Sequence, residues 1–244
     1  VRVGKYKYIR NYQPFNVDGL YNYYRYKMLA YKEWYKLFQD GKLNEVQSQF
    51  FKPRAPEALY NIDEDPHEIK NLAKDKNYIE ILLDLRTKLN DHLVSINDLS
   101  FIPEPHLLKN GLDDIVSYSE KNKDLISRLI KISDLSLSDY KQVSSKIQDA
   151  LNDINPWVRY WGLIVSSSFG SKALENKEQI NSIFENDPEN LVRMRAAEFM
   201  LLNNLEISDS KINSLLKKSN FEAETNLMLN TLANIKTSNP NYKL

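Results

Sequence analysis

From Gly111 onward the apolar residues recur at steps of three and four, and no two-residue alternation survives. Ile115 to Lys121, residues 125–132, Tyr140 to Leu151 and residues 157–169 each carry one apolar face, so this half of the chain must bury helices against helices. A longer regularity is superimposed on that period. Asp153, Val158, Arg159 and Gly162 return 34 residues later as Asp187, Val192, Arg193 and Ala196, a spacing in the range of two-helix repeats. Gly162, Ala196 and Ala197 let neighbouring helices approach closely, Val158 and Val192 enter the core, and the Arg after each Val can bond the Asp of an adjacent turn. A third copy over residues 220–235, with Thr225, Asn226 and Leu229, is weak, as suits a capping repeat.

The first part of the chain is mixed. Residues 1–12 alternate, with Gly4 placed for a tight turn, and read as the tail of a hairpin. Tyr24, Met28, Tyr31, Tyr35 and Phe38 then line one face of a helix ending near Gly41, and a short helix over residues 45–51 follows. Pro53 and Pro56 break the pattern before a short strand, Leu59-Tyr60-Asn61-Ile62, closed by Asp63, Asp65 and Pro66. Tyr78, Ile81, Leu82, Leu85, Leu89 and Leu93 give a long amphipathic helix with Arg86 and Lys88 on its wet side. Residues 100–111, with Pro103, Pro105 and Gly111, read as a linker. The expected fold class is α+β: a small antiparallel sheet packed by helices over residues 1–105, then an all-α helical-repeat domain over residues 106–244.

Composition narrows the functions such a chain can have. The 33 basic and 33 acidic residues cancel, so no global field gathers nucleic acid, and no stretch approaches the roughly 20 apolar residues that cross a bilayer. The absence of cysteine excludes disulfides, a thiol nucleophile and cysteine-ligated metal. The chain begins at Val1 inside an apparent strand, and an upstream part is therefore expected.

Three segments stand out in order: Val3-Gly4-Lys5-Tyr6-Lys7-Tyr8-Ile9-Arg10-Asn11; the run from Glu57-Ala58-Leu59-Tyr60-Asn61 through Asp65-Pro66-His67-Glu68 to Asn71-Leu72-Ala73; and the helix with Leu85-Arg86 and Leu89, closing at Pro103-Glu104. Together they resemble the C-terminal subdomain of type I sulfatases, especially the heparan N-sulfatase branch. The resemblance covers roughly residues 1–105 and implies a sheet-and-helix piece that docks on a large catalytic domain absent here. The family's formylglycine, made from a Cys/Ser-x-Pro-x-Arg motif, and its calcium are expected in that absent domain. Phe51-Lys52-Pro53-Arg54 is the nearest approach and lacks the nucleophile, so no cofactor is assigned to this chain and it is expected to be inactive alone. The resemblance suggests a periplasmic, secreted or lysosome-like setting. Asn155-Pro156-Trp157-Val158-Arg159 and Asn190-Leu191-Val192-Arg193 resemble HEAT-like repeats, which imply scaffolding.

Candidate site residues follow from charge and position. Lys5, Lys7 and Arg10, with Arg25, Lys27 and Arg54, can meet a sulfated polysaccharide, because ammonium and guanidinium groups pair with sulfate as with phosphate. His67 is a further substrate-binding candidate, although its place after Asp65-Pro66 equally suits a turn that begins a helix, with Asp65 as cap and Glu68 in the first turn. Asp63, Glu64 and Asp65 lack the alternation and Gly of a calcium loop, and Asp113 and Asp114 read as first-turn helix charges. The tyrosines from Tyr21 to Tyr35 can stack on sugars but have the spacing of a core; His92 and His106 have no partner at ligand or dyad spacing. Two functions therefore compete: the non-catalytic C-terminal part of a sulfatase acting on a sulfated glycan, and a helical-repeat module binding a protein or polysaccharide.

Overall fold

The computed structural model describes residues 1–238; residues 239–244, the end of the expected second domain, lie outside the described residues. Its strands are β1 (Arg2–Val3), β2 (Tyr6–Arg10) and β3 (Glu57–Asn61). The helices begin with α1 (Tyr23–Lys27), α2 (Leu29–Gln39), α3 (Glu45–Ser48) and α4 (Ile79–Ser95). They continue with α5 (Glu104–Asn110), α6 (Ile115–Lys121), α7 (Lys123–Ser133), α8 (Tyr140–Leu151) and α9 (Pro156–Phe169). The last are α10 (Lys177–Asn186), α11 (Asn190–Leu202), α12 (Asp209–Lys218) and α13 (Glu222–Ser238). The chain is thus mostly helical with one small antiparallel sheet.

Packing divides it into two compact units, each assembled from two stretches of chain. The first comprises residues 1–12 and 56–169, and the second residues 13–55 and 170–244. The position 105/106 falls inside the first of them.

In the first unit Gly4, at φ +56°, turns β1 into β2, and the sheet order is β1-β2-β3. Both pairings are antiparallel, with Val3 opposite Tyr6, Tyr8 opposite Leu59 and Arg10 opposite Glu57. The alternation of β2 and β3 puts Tyr8 and Leu59 on the face that α4 covers, where they pack with Leu72, Leu82 and Leu85. The free edge of β3 is closed by side-chain chemistry. Asn71 Oδ1 accepts from the Leu59 N–H at 3.0 Å, its Nδ2 donates to Glu57 O at 3.2 Å, and Leu72 N–H reaches Leu59 O at 2.8 Å. An edge strand is thereby denied to other strands.

Two sequence expectations fail here. Residues 100–111 are not an open linker: Phe101 and Ile102 are each 2% exposed, Trp161 Nε1 donates to Phe101 O at 2.7 Å, and α5 starts directly after Pro103. Pro105 sits in the first turn of that helix, where a missing N–H removes no helical bond. The run after Asp65 is not a helix start either. Asp65 Oδ2 accepts the Lys70 N–H at 2.7 Å in a turn, with Glu68 at φ +54°, and the next α-helix begins only at Ile79. The Asp114 carboxylate, in contrast, accepts the Ser117 N–H and caps α6.

In the second unit the expected helix over Tyr24 to Phe38 is two helices, broken at Met28, whose extended backbone (φ −74°, ψ 126°) ends α1 and begins α2. The break separates the aromatic stripe. Tyr31, Trp34, Tyr35 and Phe38 pack around Phe51, whereas Tyr24 and Met28 are 79% and 62% exposed. Asn44 caps α3 reciprocally with Gln47.

The 34-residue correspondence has a local structural counterpart. Asp153 Oδ1 accepts the Asn155 N–H at 2.8 Å, Asp187 Oδ1 accepts the Glu189 N–H at 2.9 Å, and Val158 and Val192 are both fully buried. A Cβ at Gly162 would stand 3.2 Å from that of Ala150, which explains the small residue. Among the bonds of the two arginines, Arg159 donates to the carbonyls of Asp153 and Ile154, and Arg193 to that of Phe184. In the 220–235 segment Met228 is buried while Leu229 is 47% exposed, so the register has slipped.

Candidate functional site

The four candidate residues lie on β2, on the turn before it and on the turn after β3, all in the first unit. Lys5 is exposed, with Nζ 5.5 Å from the Tyr6 ring centroid. Lys7 reaches across to Glu68, Nζ to Oε1 at 2.6 Å, and so ties the hairpin to the turn that carries the exposed His67. Lys5, Lys7 and His67 are thereby brought to one end of the sheet.

Arg10 is placed differently. Nε donates to Asp134, Nη1 to the carbonyls of Asn11 and Pro56, and Nη2 to Ser133 O and Ser136 Oγ. These bonds occupy all five guanidinium N–H groups of a side chain only 2% exposed, leaving none for a ligand. Arg10 joins the sheet to α7 and the turn behind it.

A second network was not anticipated from the sequence. Glu57 accepts from Arg86 Nε at 3.1 Å and Nη2 at 2.7 and 2.9 Å, and from Tyr8 Oη at 3.0 Å. Arg86 therefore turns from the wet side of α4 toward β3, with its side chain 24% exposed. The signal was present in the Glu at the head of the β3 motif and the Arg following Leu85, but a period marks a face and does not name a partner.

Burial pushes the Tyr8 phenol far up, with the Glu57 carboxylate adding to the effect, and burial pushes Tyr12 up to about 12. Both phenols therefore stay protonated near neutral pH, and neither serves as a base there. Burial holds the His106 imidazole below its ordinary range. Among the described residues no group of three or more His, Cys, Asp or Glu is placed to hold a metal ion. In the nearest approach to a nucleophile motif, Phe51 is 7% exposed and Arg54 pairs with Asp18 at 3.0 Å, so that segment is structural. The arrangement offers cations and hydrogen-bond donors suited to binding.

The chain is 39% identical over 109 residues to the ulvan-active sulfatase of Formosa agariphila, a match covering 44% of this chain and 18% of that protein. A region related to a sulfatase is therefore present, and the match spans less than a fifth of that relative's length. No family model matches the chain, and no solved structure does.

Proposed function

We propose that this chain is the non-catalytic C-terminal part of a sulfatase that hydrolyses sulfate esters or N-sulfates on a sulfated glycan. The observation that carries the reading is the 39% identity to an ulvan-active sulfatase over a stretch close in length to the segment 1–105 that holds the sulfatase-like motifs. The motif residues have structural uses that support it: Glu57 clamps Tyr8 and Arg86, and Asn71 closes the edge of β3.

In this reading residues 1–105 form the sulfatase subdomain, of the heparan N-sulfatase type, and dock on a catalytic domain that supplies the formylglycine and calcium. Lys5, Lys7 and His67 flank the substrate cleft, and Arg10 positions β2 beneath them. Residues 106–244 are a HEAT-like helical-repeat domain; the like placement of Asp153 and Asp187 supports repetition.

The test is the intact mass of the natural gene product, with sulfate release from a sulfated polysaccharide assayed on that product and on the 244-residue chain. A larger, active product and an inert 244-residue chain uphold the proposal. A natural product of this length without sulfate release would leave the helical-repeat binding module as the function. In the active product, Lys5→Ala and His67→Ala should raise KM severalfold with kcat little changed, as loss of uniform binding does.

A further inference from the structure

The α1–α2 hairpin divides its aromatic rings between two sides. On the inner side Tyr31, Trp34, Tyr35 and Phe38 meet Phe50 and Phe51 at centroid distances of 4.8–6.2 Å, which satisfies the packing needs of the hairpin. Tyr21 stacks on Tyr26 of that cluster at 5.0 Å, whereas Tyr23 and Tyr24, edge to face at 6.0 Å, stand outside it and remain 59% and 79% exposed. Exposed rings gathered in one place are uncommon unless they bind something.

The charge of the same segment is one-sided. Residues 19–38 hold Arg25, Lys27, Lys32 and Lys36 against the single acid Glu33. Arg25 is engaged within the hairpin, donating to the carbonyls of Asp18 and Leu20. Lys27, Lys32 and Lys36 are exposed and form no ion pair among the described residues. Lys32 and Lys36 stand one turn apart on the open face of α2, and Lys27 Nζ lies 4.3 Å from the Tyr23 ring centroid, so a cation and a ring are presented together.

We propose that this outer face is a holding site for a sulfated polysaccharide, with Tyr23 and Tyr24 as ring platforms for sugars and Lys27, Lys32 and Lys36 as partners for sulfate. Tyr presents a flat apolar face beside a polar hydroxyl, which matches the apolar ring face and hydroxyl rim of a sugar. Ammonium groups outside any ion pair keep their attraction for sulfate. The sulfated nature of the glycan rests on the function proposed above; the preference for a polyanion rests on the charge of residues 19–38 alone.

The test measures binding of the 244-residue chain to dextran sulfate, to uncharged dextran and to vesicles of anionic phospholipid, by titration calorimetry and co-sedimentation. Dextran sulfate should bind and dextran should not. Lys27→Ala/Lys32→Ala/Lys36→Ala should weaken binding about tenfold or more by removing three charge contacts. Tyr23→Ala/Tyr24→Ala keeps every charge and should weaken it about fivefold, because two ring contacts are lost. Circular dichroism of each variant should match the parent, since none of these side chains is buried.

An unchanged affinity in the tyrosine variant would overturn the site, leaving only non-specific charge attraction. Vesicle binding as strong as dextran sulfate binding, and lost in the same variants, would overturn it in favour of a membrane surface. Sulfate release from the gene product is scored separately. Binding without hydrolysis would sink the sulfatase reading and leave this site standing, whereas hydrolysis without binding would do the reverse.

Discussion

Glu57 and Arg86 come from a strand and a helix 29 residues apart, and their side chains keep 15% and 24% of their exposure; Arg195 and Glu198 lie one turn apart on α11 and keep 7% and 1%. The first pair joins two elements, and Tyr8 adds a third donor to the same carboxylate. The second closes a turn of helix that the backbone already holds, though Arg195 also reaches Gln13 Oε1 at 3.5 Å. The difference concerns what burial of charge accomplishes. At Glu57 desolvation is partial and the bonds fix how helix meets sheet, whereas at Glu198 desolvation is complete and its counterpart is mainly one cation.

Breaking the more buried pair should have the largest effect. Arg195→Met leaves the Glu198 carboxylate enclosed without that cation and should destabilise by about 3–5 kcal/mol in urea at pH 7, while Arg195→Met/Glu198→Leu should recover most of the loss. A single-variant loss below about 1 kcal/mol would mean that water reaches Glu198 and that the two pairs are alike. The same carboxyl predicts a pH dependence. Burial raises the Glu198 carboxyl above its unfolded value, so the stability contributed by its neutral form is complete below the ordinary carboxylate range and is lost as pH rises through the folded value. Glu198→Gln, fixed in the uncharged form, should flatten that decline in a series of melting temperatures.

Glu57→Ala should cost about 2–3 kcal/mol, because Tyr8 and Arg86 both lose their acceptor while the partial exposure of Arg86 softens the penalty. A double-mutant cycle with Arg86→Ala should return a coupling of roughly 1–2 kcal/mol. A coupling near zero would deny that this pair links sheet to helix. The smallest effect belongs to the open Lys7–Glu68 pair, 38% and 31% exposed, where Lys7→Ala should change stability by about 0.5 kcal/mol or less.

These contrasts also show what periodicity can and cannot convey. The stripe of Leu82, Leu85 and Leu93 and the buried positions Val158 and Val192 were legible, because repeated apolar spacing reports directly on a buried face. Arg86 and Arg10 were not, since a cation bordering a buried stripe reads as solvated until the fold brings Glu57 or Asp134 to it. Pro103 and Pro105 read as a linker for a related reason: the first turn of a helix tolerates proline as readily as a loop does. The break at Met28 left no trace in the spacing, and with it went the separation of outer from inner tyrosines on which the proposed holding site depends.

The pairing of β2 with β3 reaches further than the sheet. Asn11 N–H bonds Pro56 O at 2.8 Å, so the two ends of the 13–55 excursion are clasped as soon as the strands meet. Residues 13–55 then behave as a tethered loop whose closure entropy has already been met, and they need only find residues 170–238 to complete their unit. During synthesis residues 170–238 emerge after all of the first unit. The second unit can therefore close only after the first has been made, with residues 13–55 held at both ends in the meantime.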